Sequence, residues 1–412
     1  MKIAYLTNCF GTQSHTFMRR EIRALRQLGI DLALYGIRKD DASQAADAKG
    51  LVDETHYLYP VNTTCALSAN FYYLLRSPWR YLKGLWKAFT SPEFSLPRRA
   101  KMVAHYWLAA PVARHMASSG ITHIHAQFLN VSSSIAMYAA THAQIPFSVT
   151  VHSAGSFKAA DTVGLHEKLQ SAQFLIMISH YNVDYYEAVT PCRHKSYVVR
   201  CGMNLEDFSF QIPANLLAPT KDGKPHKIKL LGVGRFVAKK GFRYLLEMAA
   251  ILQQRNVDFE LRILGNGPLD DELRALADRL QLQDQVKFLG QKSIDEVRAE
   301  MAETDIVVVP SITTNTGDME GLPVVIMEAM ATGAAVVASA HAGIPEIVIP
   351  EQTGLLTEER NPESLADAVC QMIAQPSEER LKRARKLIEE HFNISIVAQQ
   401  RKDLFHRHHQ AK

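Results

Sequence analysis

Glu320-Gly-Leu-Pro-Val-Val-Ile-Met-Glu328 is the stretch whose reading decides how this chain folds. Two carboxylates flank seven residues. A Gly-Leu-Pro turn follows the first, and the second falls within an apolar run that reads as a helix. Pro323 suits an early helical position, where a missing N–H costs nothing. The start of such a helix leaves N–H groups without partners, a ready seat for phosphate. A carboxylate cannot ligate phosphate, but it accepts hydrogen bonds from sugar hydroxyls. The expected ligand is therefore part phosphate and part polyol. Two acids at this spacing also occur as a solvated pair. The flanks argue against that: Pro310-Ser311 ends an apolar strand upstream, and Gly343-Ile-Pro-Glu346 follows a second strand downstream.

Working outward, apolar runs alternate with helical patterns from end to end, which predicts an α/β fold of parallel sheets covered by helices. The series around the opening stretch places strands at Ile228–Val233, Phe259–Leu264, Val286–Leu289, Ile306–Val309 and Ala335–Ala338. An earlier series places them at Ile3–Leu6, Leu32–Ile37, Ile121–His125, Phe147–Val151, Phe174–Ile178 and Tyr197–Val199. A helix carrying Phe17, Met18, Ile22, Leu25 and Leu28 follows the first strand, with Ser14 as its N-cap and Gly29 as its stop. Pro213, Pro219, Gly223 and Pro225 interrupt the pattern among polar residues, which reads as a linker. The expected division is 1–209, a linker at 210–227, and 228–393, with 394–412 as a closing helix. Two Rossmann-like domains facing across a cleft follow, with ligands beyond the carboxyl ends of the strands.

Several loops after strands carry chemistry. In Gly232-Val-Gly234-Arg235-Phe-Val-Ala-Lys239-Lys240-Gly241, the glycines admit a ligand close to the backbone. Arg235 offers a planar fork to phosphate and Lys240 a point charge, while Lys239 points elsewhere. His152 ends its strand, where an imidazole can reach a sugar hydroxyl or a developing charge. His123 and His125 share one strand face. That spacing suits zinc, but no carboxylate or cysteine stands near, so a structural role is expected and no metal.

These residues resemble the GT-B retaining glycosyltransferases of family 4, of the exopolysaccharide and lipopolysaccharide type. Their signature E-G-x-P-x-x-x-x-E-A-M-A is matched by Glu320-Gly-Leu-Pro-Val-Val-Ile-Met-Glu328-Ala-Met-Ala331. The likeness extends through Leu264-Gly-Asn-Gly267-Pro268, Phe288-Leu-Gly290 and Val309-Pro-Ser311. It is close in the carboxyl half and looser in the amino half. It implies a nucleotide diphosphate sugar as donor, a glycan or lipid-linked acceptor, and no metal cofactor. Glu320 would face the donor sugar and Glu328 the ribose. Arg235 and Lys240 would meet the diphosphate beside Gly234, and amides of Gly321, Leu322 and Val324 the sugar or phosphate oxygens. Gly290 and Lys292 would lie near the base. The loop from Gly11 to Thr16 resembles the family's first loop, near phosphates and acceptor. The closing helix would cross back to the first domain. Two departures stand out. The family often has His-Gly-x-Asp where this chain has His152-Ser153-Ala154-Gly155, leaving Asp161 without support. Gln127 also replaces a second histidine.

Composition narrows the alternatives. The chain has 412 residues, more than one core usually spans. It is 47% apolar and 21% charged, which excludes a disordered chain. A net charge of +4 does not call for nucleic acid. Five scattered cysteines without C-x-x-C suit a reducing, cytoplasmic setting. Met1-Lys-Ile-Ala-Tyr-Leu-Thr reads as an opening strand and not as a signal peptide, and no apolar run reaches membrane-spanning length. Between Asn70 and Met116, eight Lys and Arg residues interleave with aromatic ones, and Glu93 is the only acid. That suits either an anionic membrane face or a helix turning lysines to water. Two other classes remain open at this stage. A nicotinamide-dependent oxidoreductase would use Gly265-Asn-Gly267, but G-x-G-x-x-G is missing after the first strand. A non-catalytic partner subunit would not need Glu320, Glu328, Arg235 and Lys240 together.

Overall fold

The computed structural model describes the chain except for residues 12–14, 40–47, 91–94, 154–163, 218–219, 222–223, 226 and 411–412. Ser14, Asp161, Pro219 and Gly223 therefore lie outside the described residues. Two compact units emerge: 1–203 with 394–412, and 204–393.

The first unit is built on a parallel sheet of seven strands: β1 (Lys2–Thr7), β2 (Asp31–Gly36), β3 (His56–Tyr57), β4 (His123–Gln127), β5 (Phe147–Val151), β6 (Phe174–Met177) and β7 (Ser196–Val198). Their spatial order is β3-β2-β1-β4-β5-β6-β7. Every residue of β4, β5 and β6 is buried, as expected where helices cover both faces. The helix Thr16–Gln27 turns Met18, Ile22 and Leu25 inward on one stripe. Gly29 ends it in the left-handed region (φ 82°), which lets Ile30 bond back to the Leu25 carbonyl (3.0 Å). The last helix, Ile394–Gln410, belongs to this unit: its Val397, Ala398, Leu404 and Phe405 join Met18, Ile22 and Leu25 in one apolar cluster.

The second unit begins with a short hairpin, β8 (Thr220–Lys221) and β9 (Lys224–Pro225), followed by a six-stranded parallel sheet. Its strands are β10 (Ile228–Val233), β11 (Phe259–Leu264), β12 (Val286–Gly290), β13 (Ile306–Val309), β14 (Ala335–Ser339) and β15 (Leu355–Thr357). They are ordered β12-β11-β10-β13-β14-β15. The order reverses between β10 and β13, so the loops after these two strands part at the switch point where ligands of such sheets bind.

Three local expectations shift. The strand expected at Ile121–His125 runs two residues later. Ile121 instead closes the preceding helix by bonding to the Met116 carbonyl (3.1 Å). The stretch read as a linker carries the helix Ala214–Leu217 and the β8–β9 hairpin. Residues at its start and just before it pack with the second unit: Gln211 bonds to the Thr332 carbonyl (2.8 Å) and Asp207 pairs with Arg298 (2.6 Å). Pro323 does not enter the helix that starts at Val324. It caps that helix in an extended conformation (ψ 123°).

Candidate functional site

In the second unit the loop after β10 returns against the loop after β13. Gly241 sits there at φ 69°, and a Cβ on it would come within 1.8 Å of the Pro310 carbonyl oxygen. Only glycine permits both the conformation and the approach. The contact sets Lys240 opposite Glu320, with Nζ 2.9 Å from Oε2. Its neighbour Lys239 turns to Asp318 (3.2 Å), so the adjacent lysines do diverge. Behind the pair lies a relay. The Glu320 amide donates to His341 Nε2 (3.1 Å), and His341 Nδ1 donates to Glu359 Oε1 (2.7 Å). Glu359 Oε2 in turn accepts from the Thr313 amide (2.8 Å). Burial opposes the charge on Glu320, but Lys240 and then Lys239 outweigh it and hold the carboxyl below its ordinary range. Glu359 behaves likewise: burial is overcome by the Thr313 amide and His341.

From Met319 to Thr332 only Glu320, Val324 and Glu328 are half-exposed; every other residue is buried. Val324 and Glu328 are four apart and share one face of the helix, while Glu320 lies ahead of its start. The two carboxylates are therefore the half-exposed acids of an otherwise interior segment. Gly321 and Leu322 are buried, and the Gly321 carbonyl accepts from the Gly343 amide (3.2 Å), tying the turn to the loop after β14. The Val324 and Val325 amides have no carbonyl one turn back, whereas the Ile326 amide donates to the Pro323 carbonyl (3.2 Å). Arg235 is exposed, and its guanidinium makes no ion pair among the described residues. Gly234 lies under the Lys240 side chain, 3.5 Å from its Cδ and Cε to a Cβ built on the glycine. Gly290 ends β12, its carbonyl accepting from Gly265 (2.9 Å). Lys292 pairs with Glu296 (3.0 Å) inside a capping box, so its ammonium is already occupied on the protein surface.

The first unit gives its expected residues different surroundings. His152 follows β5 between the rings of Phe17 (4.7 Å) and Phe128 (4.6 Å). Phe128 holds φ 67°, a strained conformation for an aromatic residue and a frequent mark of a functional loop. Both nitrogens of His152 have protein partners: Nε2 meets Gln127 Oε1 (2.6 Å) and Nδ1 meets Cys201 Sγ (3.7 Å). Burial, then Arg401 and His15, keep its pKa well below the ordinary value. Contact with a sugar hydroxyl thus requires the ring to release Gln127 or Cys201. The hydrogen bonds continue inward. Gln127 donates to the Tyr5 hydroxyl (2.5 Å), Tyr5 donates to Glu21 (2.9 Å), and Arg401 of the last helix reaches Glu21 (3.2 Å) and Thr150 (3.0 Å). His125 bridges Thr150 (2.9 Å) and Ser148 (2.8 Å), and His123 meets Ser148 (2.7 Å). The two histidines are therefore structural. Among the described residues no group of three His, Cys, Asp or Glu could hold a metal ion. Gly11 is buried in the loop after β1; the three residues after it are outside the described set. A cavity of about 560 Å³ opens beside that loop, lined by Asn8, Cys9, Arg38, Lys39, Tyr59 and Lys101.

Sequence reasoning missed His341, Glu359 and Phe128, and read Gln127 only as a replaced histidine. A histidine two residues after β14 was the one available signal. Glu359 gave none, because its partners lie 18 and 46 residues away.

Residues 219–391 match the family model described as glycosyl transferases group 1. Over 96% of its length the chain is 28% identical to WcaL of Escherichia coli (strain K12), a glycosyltransferase named for colanic acid biosynthesis, covering 97% of that protein. It is 27% identical to the amylovoran biosynthesis glycosyltransferase AmsK of Erwinia amylovora, covering 99% of this chain and all of that one. Among solved structures, Anabaena HepE in complex with UDP superposes with a TM-score of 0.72 at 18% identity, over 99% of this chain and 100% of the other. The second unit, which holds the Glu320–Glu328 segment, is thus similar to the glycosyl transferases group 1 family, and the fold of the two parallel-sheet units is similar to that of HepE.

Proposed function

We propose that the enzyme moves a sugar from a nucleotide diphosphate sugar to a hydroxyl of a glycan or lipid-linked glycan, with retained anomeric configuration and without a metal ion. The carrying observation is the Lys240–Glu320 pair beside the Val324–Thr332 helix start, with Arg235 uncovered on the same loop as Lys240. Lys240, Arg235 and the first helix amides offer positive charge where the departing diphosphate gains negative charge. They supply what a divalent cation supplies in other transferases. Glu320 accepts from the donor sugar and Glu328 from the ribose, both carboxylates being half-exposed in an otherwise buried segment. The bond from the anomeric carbon to the donor phosphate oxygen breaks, and the acceptor oxygen bonds on the same face. The acceptor proton passes to the departing phosphate. The names of WcaL and AmsK support a role in cell-surface polysaccharide synthesis, on the cytoplasmic side where nucleotide sugars are available. Arg38, Lys39 and Lys101 around the first-unit cavity suit an acceptor that carries phosphate.

Thermal-shift screening against UDP, GDP and their sugars identifies the donor. Proton NMR of the product then reads the anomeric configuration at early time points. An inverted product rejects retention. Complete loss of turnover in EDTA, restored by magnesium or manganese, rejects metal independence.

A further inference from the structure

Three faces run along the helix Pro78–Thr90. Leu85, Tyr81 and Ala88 pack against the core of the first unit. Trp79, Leu82, Trp86 and Phe89, spaced three, four and three residues apart, form a second face that is open to solvent. Trp79 is 84% exposed and Trp86 67%. Arg80, Lys83 and Lys87 occupy the strip between, all exposed. The preceding helix, Thr63–Arg76, repeats the arrangement. It buries Ala66, Ala69 and Tyr73 and turns out Leu67, Phe71 and Leu75, with Phe71 62% and Leu75 66% exposed. Aromatic rings of this size in water oppose the hydrophobic effect, and such rows rarely stay uncovered.

The charge around the rows says what covers them. Arg76, Arg80, Lys83, Lys87 and Arg114 form no ion pair with an acid among the described residues. Arg76 and Arg114 instead lie against the Tyr72 ring, at 5.8 and 4.9 Å. A cavity of about 550 Å³ opens there, lined by Arg76, Arg80 and Arg114 with Tyr72, Tyr73 and His142. A second copy of the chain on this face would set cations against cations. An anionic bilayer satisfies both features at once: its interface takes aromatic rings, and its headgroups take the cations. No helix among the described residues is long and apolar enough to cross a membrane, so this contact lies along the surface.

We propose that the Thr63–Arg76 and Pro78–Thr90 helices dock this enzyme on an anionic phospholipid bilayer, with Trp79 and Trp86 in the interface and a lipid phosphate between Arg76, Arg80 and Arg114. The proposal is independent of the donor chemistry above. Cosedimentation with vesicles of phosphatidylcholine alone, and with an equimolar mixture of phosphatidylcholine and phosphatidylglycerol, tests it. The intact chain binds the mixed vesicles, binds less as salt rises, and leaves the neutral ones unbound. Its tryptophan emission shifts to the blue on binding. Each basic residue near an anionic surface strengthens binding about fivefold, so Arg80→Glu/Lys83→Glu/Lys87→Glu lowers affinity more than about a hundredfold. Trp79→Ala/Trp86→Ala lowers it about tenfold or more. Both variants keep the circular dichroism of the parent and its donor hydrolysis in solution. Equal binding of the intact chain to both vesicles, or none to either, overturns the proposal. So does a dimer in sedimentation that Trp79→Ala/Trp86→Ala dissolves, which assigns the rows to a second copy. Retained donor turnover alongside any of these results leaves the transferase reading standing and removes only the docking.

Discussion

The two units share one kind of sheet and handle their polar residues differently. In the first, polar side chains are threaded through the interior. From Cys201 through His152, Gln127, Tyr5 and Glu21 to Arg401, each group meets the next. In the second, polar groups stand at loops on the carboxyl side of β10, β13 and β14, where Arg235 stays exposed and the Lys240–Glu320 pair is partly open. A closed network holds its own geometry and resists change. An open set of charges leaves its groups accessible from outside the protein. The comparison teaches that one kind of sheet can thread its polar groups through the interior in one unit and set them at accessible loops in the other.

Removing Arg401 should break the first unit hardest. Its side chain and that of Glu21 are fully or almost fully buried, and Arg401→Ala leaves the carboxylate without its counter-charge. A loss of about 3–5 kcal/mol is expected. Trp79, Trp86 and Trp107 all lie in the first unit, so tryptophan emission during urea unfolding reports on it. An unchanged midpoint would mean that the network is not what holds this unit.

Next in size are Arg235→Ala and Lys240→Ala. Each should lower kcat about 10²–10³-fold at saturating donor. The tryptophan midpoint should not move, since both residues sit in the other unit. Wild-type turnover in both variants would withdraw the diphosphate assignment.

Glu328→Ala should weaken donor binding by roughly 1.5–3 kcal/mol while changing kcat less, because ribose hydroxyls are held alike in ground and transition states. Calorimetry with the nucleotide donor measures this; an unaltered dissociation constant rejects the ribose contact.

Mild acid should produce the smallest change per group. Burial holds His125 and His152 well below the ordinary imidazole value and His142 at about 4. The folded state keeps all three neutral, whereas the unfolded chain takes up protons below about pH 6.5. Stability is therefore full above that value and falls as pH falls through it. Each histidine should cost about 0.7 kcal/mol between pH 7 and pH 6. A tryptophan midpoint that is flat across this range would show that these rings are not held neutral.

Much of the second unit was legible because its signals are local. β10, β11 and β13 begin and end where the apolar runs do. Lys239 and Lys240 had to diverge as chain neighbours, and Glu320 and Glu328 stood out as a spaced pair within one short motif. The first unit was harder to read. Its β4 strand was displaced by two residues, which hid that Gln127 belongs to the strand and points into the buried chain. His152 was placed correctly at a strand end, yet its two partners come from β4 and from the segment after β7, 25 and 49 residues away. The aromatic content of residues 70–116 was plain, but not which rings face out. Trp79 and Trp86 lie one helical face away from Tyr81 and Ala88, and both faces are apolar.

By itself, the sequence determined the alternating strands and helices, the glycine turns and the Glu320–Glu328 segment. Strand periodicity, backbone sterics and helix capping act over a few residues, so the order of residues carries them. Only the tertiary structure decided that Lys240 meets Glu320, that His341 and Glu359 stand behind it, and that Arg401 closes the interior of a unit 380 residues upstream at Glu21. Those pairings depend on which strands lie side by side. Burial and charge neutralisation across the sheet choose the neighbours, and neither leaves a mark in the spacing of residues along the chain.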